Sequence, residues 1–205
     1  MQTQVIPAAA PEAIESALAV LRRGGLVAFP TDTVYGVGAL AFDEQAVKSI
    51  YEAKGRPDEK AIPVLLGDAA DLDKVAMALP DKARKLAQRF WPGALTLVVL
   101  KQPSLPAAIS ATETVGVRMP DHEVARALLR AAGPMAVTSA NLSGHPSPRT
   151  ANEVRAQLEG RIALIIDGGR APGGVPSTVL DCTKAELAVL RAGPINLEEI
   201  NAVLG

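Results

Sequence analysis

The sequence predicts an α/β architecture, a large and mostly mixed β-sheet with flanking helices. Short apolar runs of strand length intermix with segments of helical periodicity along the whole chain. The two longest irregular segments, Leu142–Pro148 and Asp167–Ser177, are each followed at once by more strand or helix signal, so neither reads as a linker. A chain of 205 residues suits one core better than two, and residues 1–205 are expected to form a single domain.

Taken in order, Ile14, Ala17, Leu18 and Leu21 recur at helical spacing, and Gly24-Gly25 stops that helix before a buried strand at Leu26–Phe29. Asp43 is expected to cap a helix from Glu44 to Ala53 whose Ala46, Val47 and Ile50 pack on the sheet. Further strands are predicted at Ile62–Leu66, Ala94–Leu100, Val115–Arg118, Met135–Thr138, Ile162–Ile166, Thr178–Asp181 and Leu187–Arg191. Helices are predicted near Asp81–Phe90, Asp121–Ala131, Ala151–Leu158 and Leu197–Val203. Gly36-Val-Gly38-Ala-Leu-Ala41 matches the dinucleotide fingerprint G-x-G-x-x-G/A, but no helix opens at its glycines. The match is read as chance and the glycines as a tight bend.

Composition narrows the function classes. The hydrophobic fraction is 48% and the aromatic fraction only 3%, so the core must be mainly aliphatic. The 21 Lys+Arg nearly cancel the 22 Asp+Glu, which excludes the uniformly basic field of a protein that lives on nucleic acid. One cysteine, Cys182, cannot close an internal disulfide and reads as strand packing. No leader pattern opens the chain and no apolar run reaches membrane-spanning length. The expectation is a soluble, cytoplasmic protein without membrane contact.

Polar and cationic groups gather just beyond the strands, where open α/β sheets place ligands. Thr31 and Thr33 straddle Asp32 after the Phe29 strand, and their hydroxyls suit either a small polar ligand or an ordinary turn. Without a P-loop, any nucleoside triphosphate must be met by side chains. Lys54 and Arg56 suit that task if an extended segment projects both to one side; the same pair also reads as a solvated basic helix end. Ser139 and Asn141 follow the Met135–Thr138 strand and serve equally as nucleotide contacts or as a capped turn. Arg118 and Arg191 each end a predicted strand. With two histidines and no spaced acidic partners, no protein-built metal site is expected.

Taken together, Pro30-Thr-Asp-Thr-Val-Tyr-Gly36, Lys54-Gly-Arg-Pro57, Val115-Gly-Val-Arg-Met-Pro120, Ser139-Ala-Asn-Leu-Ser-Gly144, Ser177-Thr-Val179 and Arg191-Ala-Gly193 resemble the YrdC family of threonylcarbamoyl-AMP synthases. The motifs run from Pro30 to Pro194, in the family's order. The resemblance implies a twisted sheet around a large concave cleft, in the form without a C-terminal extension. It also implies synthesis of L-threonylcarbamoyladenylate and pyrophosphate from L-threonine, bicarbonate and ATP, with Mg²⁺ carried by the ATP. A downstream transferase would then modify adenosine 37 of tRNAs reading codons that start with A.

Carried over by position, Lys54 and Arg56 would be the catalytic cations facing the phosphates. Thr33, Leu65, Arg118, Val137 (through its backbone) and Ser177 would bind L-threonine. Arg56, Lys60, Thr114, Ser139, Asn141, Ser147 and Arg191 would bind ATP. The chain departs from many relatives at Ala61-Ile62, where they have Pro-Leu. Two rivals stand beside this reading. One is a carbamoyl-adenylate-forming enzyme using carbamoyl phosphate. The other is an RNA-binding or ribosome-assembly module, with the cleft as a locally basic groove making a weak RNA contact.

Overall fold

The computed structural model describes residues 2–205. Its strands are β1 (Gln4–Pro7), β2 (Val27–Phe29), β3 (Gly36–Leu40), β4 (Val64–Leu65), β5 (Leu95–Leu100), β6 (Thr114–Arg118), β7 (Met135–Ser139), β8 (Leu164–Asp167), β9 (Thr178–Asp181) and β10 (Ala188–Arg191). Its helices are α1 (Ala13–Leu21), α2 (Glu44–Lys54), α3 (Leu72–Val75), α4 (Asp81–Phe90), α5 (Glu123–Ala132), α6 (Ala151–Leu158) and α7 (Leu197–Leu204). The strands form one ten-stranded mixed sheet in the order β1-β8-β2-β3-β7-β4-β6-β5-β9-β10.

Period-2 alternation in the strands explains how helices come to lie on both faces. Val27 and Phe29, Met135 and Val137, and Leu164 and Ile166 point into one apolar cluster with Ala13, Ala17 and Leu21 of α1 and Leu128 and Leu129 of α5. The residues between them, Ala28, Ala136 and Ile165, join the opposite cluster with the apolar faces of α2, α4, α6 and α7. Toward β10 the alternation continues but its two faces differ. Leu95, Leu97, Val115 and Val117 enter the helix-covered cluster, whereas Thr96, Val98, Gly116 and Arg118 line open space. Thus α1 and α5 cover one half of a face and leave the other half as a concave floor.

The cap expected at Asp43 forms, and two more join it. Asp43 accepts from the Ala46 backbone N–H at 3.0 Å at the start of α2, Thr150 caps α6, and Asn196 with Glu199 makes a capping box on α7. Two strands are additions to the expected set. β1 is a four-residue edge strand ending in Pro7, parallel to β8. The second is β3, and here the expected tight bend at Gly36 and Gly38 is corrected: both glycines lie inside a strand paired antiparallel to β2 and β7. Their role is close approach. A Cβ on Gly38 would sit 2.5 Å from the Ala136 carbonyl oxygen, and one on Gly36 2.7 Å from a Val137 methyl.

Candidate active site

The bare half-face floors a cleft of about 300 Å³. Its walls include Thr33, Arg56, Leu65, Arg118, Val137, Ser139, Ser177 and Arg191, so eight of the thirteen expected contact residues converge from seven separate segments. Lys54, Lys60, Thr114, Asn141 and Ser147 lie outside this wall.

One cation of the wall is Arg118, the last residue of β6, beside Leu65 in the parallel β4 register. Its guanidinium Nε donates to the Gly93 carbonyl at 2.9 Å and its Nη1 to Thr33 Oγ1 at 3.0 Å. Its Nη2 donates to Asp32 Oδ1 in a buried ion pair. Burial lowers the Arg118 pKa, and the Asp32 charge opposes that shift. Asp32 is therefore the counter-ion of Arg118, a partnership across 86 positions of sequence. With three of five N–H groups engaged, two remain for a ligand carboxylate. Thr31 Oγ1 lies 3.0 Å from Thr33 Oγ1, and its hydroxyl donates to the Val34 carbonyl at 2.6 Å, which fixes this turn.

The glycine-rich segment after β8 folds against the same turn. Tyr35 donates its hydroxyl to the Gly169 carbonyl at 2.6 Å, and burial pushes the Tyr35 pKa up to about 12. The Gly173 and Gly174 N–H groups donate to the Asp32 and Thr33 carbonyls at 3.1 and 2.6 Å. Only glycine allows this approach at 173, where a Cβ would fall 2.7 Å from the Asp32 carbonyl oxygen.

Arg56 and Arg191 line the same cleft, and the charge of Arg191 also reaches Arg118, where it adds to the lowering of the pKa. The Arg56 fork donates to the carbonyls of Lys60 and Ala61 at 3.1 and 2.9 Å. Arg191 donates to the Ser177 carbonyl from Nε and Nη2, at 3.0 and 2.8 Å, and to Ser177 Oγ at 3.0 Å. Ser177 Oγ in turn lies 2.8 Å from Thr96 Oγ1. Among the described residues neither arginine has a carboxylate partner. Partial burial lowers both pKa values, and the charge of Arg56 adds to the lowering at Arg191, although much of the Arg191 side chain meets solvent. Two facing cations without a counter-ion make a seat for a multiply charged anion.

Lys54 departs from its expected geometry. It is the last residue of α2, and Gly55 follows at φ 57°, a left-handed cap that turns the chain between Lys54 and Arg56. The two side chains therefore do not share one side of an extended segment. Only 2% of Lys54 is exposed; its ammonium donates to the Ser139 carbonyl at 2.5 Å and to the Asn141 carbonyl. Burial first, and the Arg56 charge second, push its pKa down to about 7. Asn141 likewise turns inward, donating from Nδ2 to the Leu142 and His145 carbonyls at 2.7 and 2.9 Å. Val137 has its backbone N–H engaged by the Pro63 carbonyl at 2.9 Å, which leaves its other atoms for a ligand. Lys60 is exposed, and Thr114 and Ser147 are half-buried at strand and loop ends. Among the described residues no three His, Cys, Asp or Glu side chains gather as a metal site, and no helix is long and apolar enough to cross a membrane.

The Sua5_yciO_yrdC family model, described as "Telomere recombination", matches residues 19–193. A Bacillus subtilis threonylcarbamoyl-AMP synthase is 50% identical over 195 residues, which are 94% of this chain and 56% of that protein. A Mycobacterium tuberculosis relative, provisionally given the same name, is 46% identical over 208 residues, 99% of this chain and 96% of its own. Among solved structures, P. abyssi Sua5 complexed with L-threonine superposes with a TM-score of 0.91 at 47% identity, over 94% of this chain and 57% of that one. This chain thus spans little more than half of the Bacillus and P. abyssi proteins and nearly all of the mycobacterial one. Sequence, fold and cleft agree, and the chain belongs to the Sua5/YciO/YrdC family.

Proposed function

We propose that this chain is a threonylcarbamoyl-AMP synthase, a cytoplasmic nucleotidyltransferase acting as a single domain on L-threonine, bicarbonate and ATP. The observation that carries the reading is the contrast among the arginines of the cleft. One arginine is buried and fixed by a counter-ion beside a hydroxyl, and two others on the same wall have no carboxylate partner among the described residues. The names of the Bacillus and P. abyssi relatives support the same substrates.

In this assignment Arg118 grips the threonine carboxylate with its two remaining N–H groups. Thr33, Leu65, Val137 and Ser177 enclose the rest of the amino acid. Arg56 and Arg191 meet the phosphates, Ser139 contacts the nucleotide, and Lys60, Thr114, Asn141 and Ser147 supply or support the outer ATP contacts. The threonine amine attacks bicarbonate and water leaves, giving a carbamate. A carbamate oxygen then attacks the α-phosphorus as the bond to the bridging oxygen breaks, and pyrophosphate departs with that electron pair. The protein's share is to align the reactants, neutralise developing charge at Arg56 and exclude water. Mg²⁺ enters as part of the ATP substrate, held by phosphate oxygens and water. Asp32 and Asp167 are occupied elsewhere, by Arg118 and by the Gly169 N–H. The product then serves a transferase that modifies adenosine 37 of tRNA.

Purified protein incubated with ATP, Mg²⁺ and labelled bicarbonate should yield a labelled adenylate and pyrophosphate only when L-threonine is present. Product formation with carbamoyl phosphate instead, or no product from folded, ATP-bound protein, would reject the reading.

A further inference from the structure

Lys54 stands outside the cleft wall yet holds a turn that enters it. Its ammonium takes the carbonyls of Ser139 and Asn141, and its own carbonyl accepts from the Ser143 N–H at 2.9 Å. One residue at the end of α2 thus grips the 139–143 turn at three points. Because each peptide unit is planar, turning two carbonyls toward one buried cation fixes the orientation of the peptide planes that follow Ser139 and Asn141. Charge-assisted bonds in a buried setting make that a stiff constraint. Asn141 Nδ2 and the His145 N–H close the loop on itself, and further bonds tie it to its surroundings. Ala140 donates its N–H to the Tyr35 carbonyl at 2.8 Å, and Leu142 donates to Gln157 Oε1 at 3.0 Å.

We propose that Lys54 is a positioning residue: it sets the Ser139–Ser143 turn so that Ser139 meets the nucleotide, and it does not itself touch a phosphate. The proposal rests on the function proposed above and assigns Lys54 a different role from that of Arg56. Nothing in the wall of the cleft brings the Lys54 ammonium to a ligand, and its protein contacts are carbonyls of the turn.

The test is Lys54→Met, which keeps the length and bulk of the side chain but gives the two carbonyls no donor. In ligand-free protein, hydrogen exchange of the 140–145 amides should quicken about 10-fold or more while that of β8 stays unchanged, the pattern of a local opening. Affinity for adenosine and for ATP should fall by the same factor of about 10, and the KM for threonine should stay within about twofold. Unchanged exchange in the turn, or a loss confined to ATP with adenosine affinity intact, would overturn the proposal, the second because it marks a direct phosphate contact. If the methionine variant does not fold, Lys54→Leu gives the same comparison on a shorter arm that also lacks a donor; exchange equal to wild type would again overturn it. Should the wild type bind neither adenosine nor ATP, the proposed function fails, while the exchange measurement still decides whether Lys54 holds the turn.

Discussion

The arginines of the cleft are held in opposite ways. Arg118 is buried, with its charge balanced by Asp32 and its fork fixed by Gly93 and Thr33 before any ligand arrives. Arg56 and Arg191 are braced only by backbone carbonyls and the Ser177 hydroxyl, and their charges are unanswered among the described residues. A fixed, neutralised fork selects a small ligand by geometry, because its spare N–H groups point in set directions. An uncompensated pair instead draws in high negative charge and gains most where more charge develops. Preorganisation and electrostatic demand are thus divided among the arginines of one site.

The contrast can be broken first at Arg118. Arg118→Ala leaves Asp32 as a buried carboxylate without its partner, and stability should drop by about 3–5 kcal/mol. A melting curve indistinguishable from wild type would show that the pair is not a structural unit. Arg56→Ala should do the reverse: turnover falls by about 10² or more while the melting temperature hardly moves, since no buried counter-ion is stranded. A folded variant with full activity would remove Arg56 from the chemistry. Gly38→Ala should touch the Thr33 and Ser139 segments together, because β3 lies between the strands that lead to them. Its methyl meets the Ala136 carbonyl at 2.5 Å, and chemical denaturation should report a loss of about 1–3 kcal/mol. If KM changed for only one substrate, the two segments would be mechanically separate.

A further effect concerns pH. The Lys54 pKa is lowered from 10.5 to about 7 in the folded protein. Between those values the unfolded chain binds the proton that the folded protein has released, so this residue makes stability rise with pH across that window. Comparing melting temperatures from pH 7 to 9.5, the wild type should gain on Lys54→Met. Parallel curves would mean that the buried amine titrates near its ordinary value.

Most of this fold was legible because aliphatic runs of strand length sit between helical periodicities, and the helices Asp81–Phe90 and Ala151–Leu158 match their expected bounds. β3 was hidden because Gly36 and Gly38 carry no side chains to reveal an alternating pattern, and glycine usually signals a turn. β1 was hidden by its brevity and by Pro7, which a sheet accepts only at its edge. Within the site, residue types and spacing left Arg56, Arg118 and Arg191 open between ligand contacts and surface cations, and the resemblance to the YrdC family assigned them to a site; all three line the cleft. The Asp32–Arg118 pair was not legible, since nothing local links residues 86 positions apart. The misplacement of Lys54 did have a local signal: Gly55 directly after the helix marks a left-handed cap, and such a cap breaks the side-by-side geometry that spacing alone suggests.

The position of Arg191 bears on how the molecule comes into being. This side chain is carried by β10, an edge strand at the far end of the sheet from β1, and it closes a cleft whose first wall residue is Thr31. During synthesis the ribosome must therefore release nearly all of the residues described here before the anion seat exists. A nascent chain halted before residue 188 would carry Asp32 and Arg118 but neither Arg191, which braces Ser177, nor Ile200, which fills the helix-covered cluster, so the last residues made complete the site and the core together.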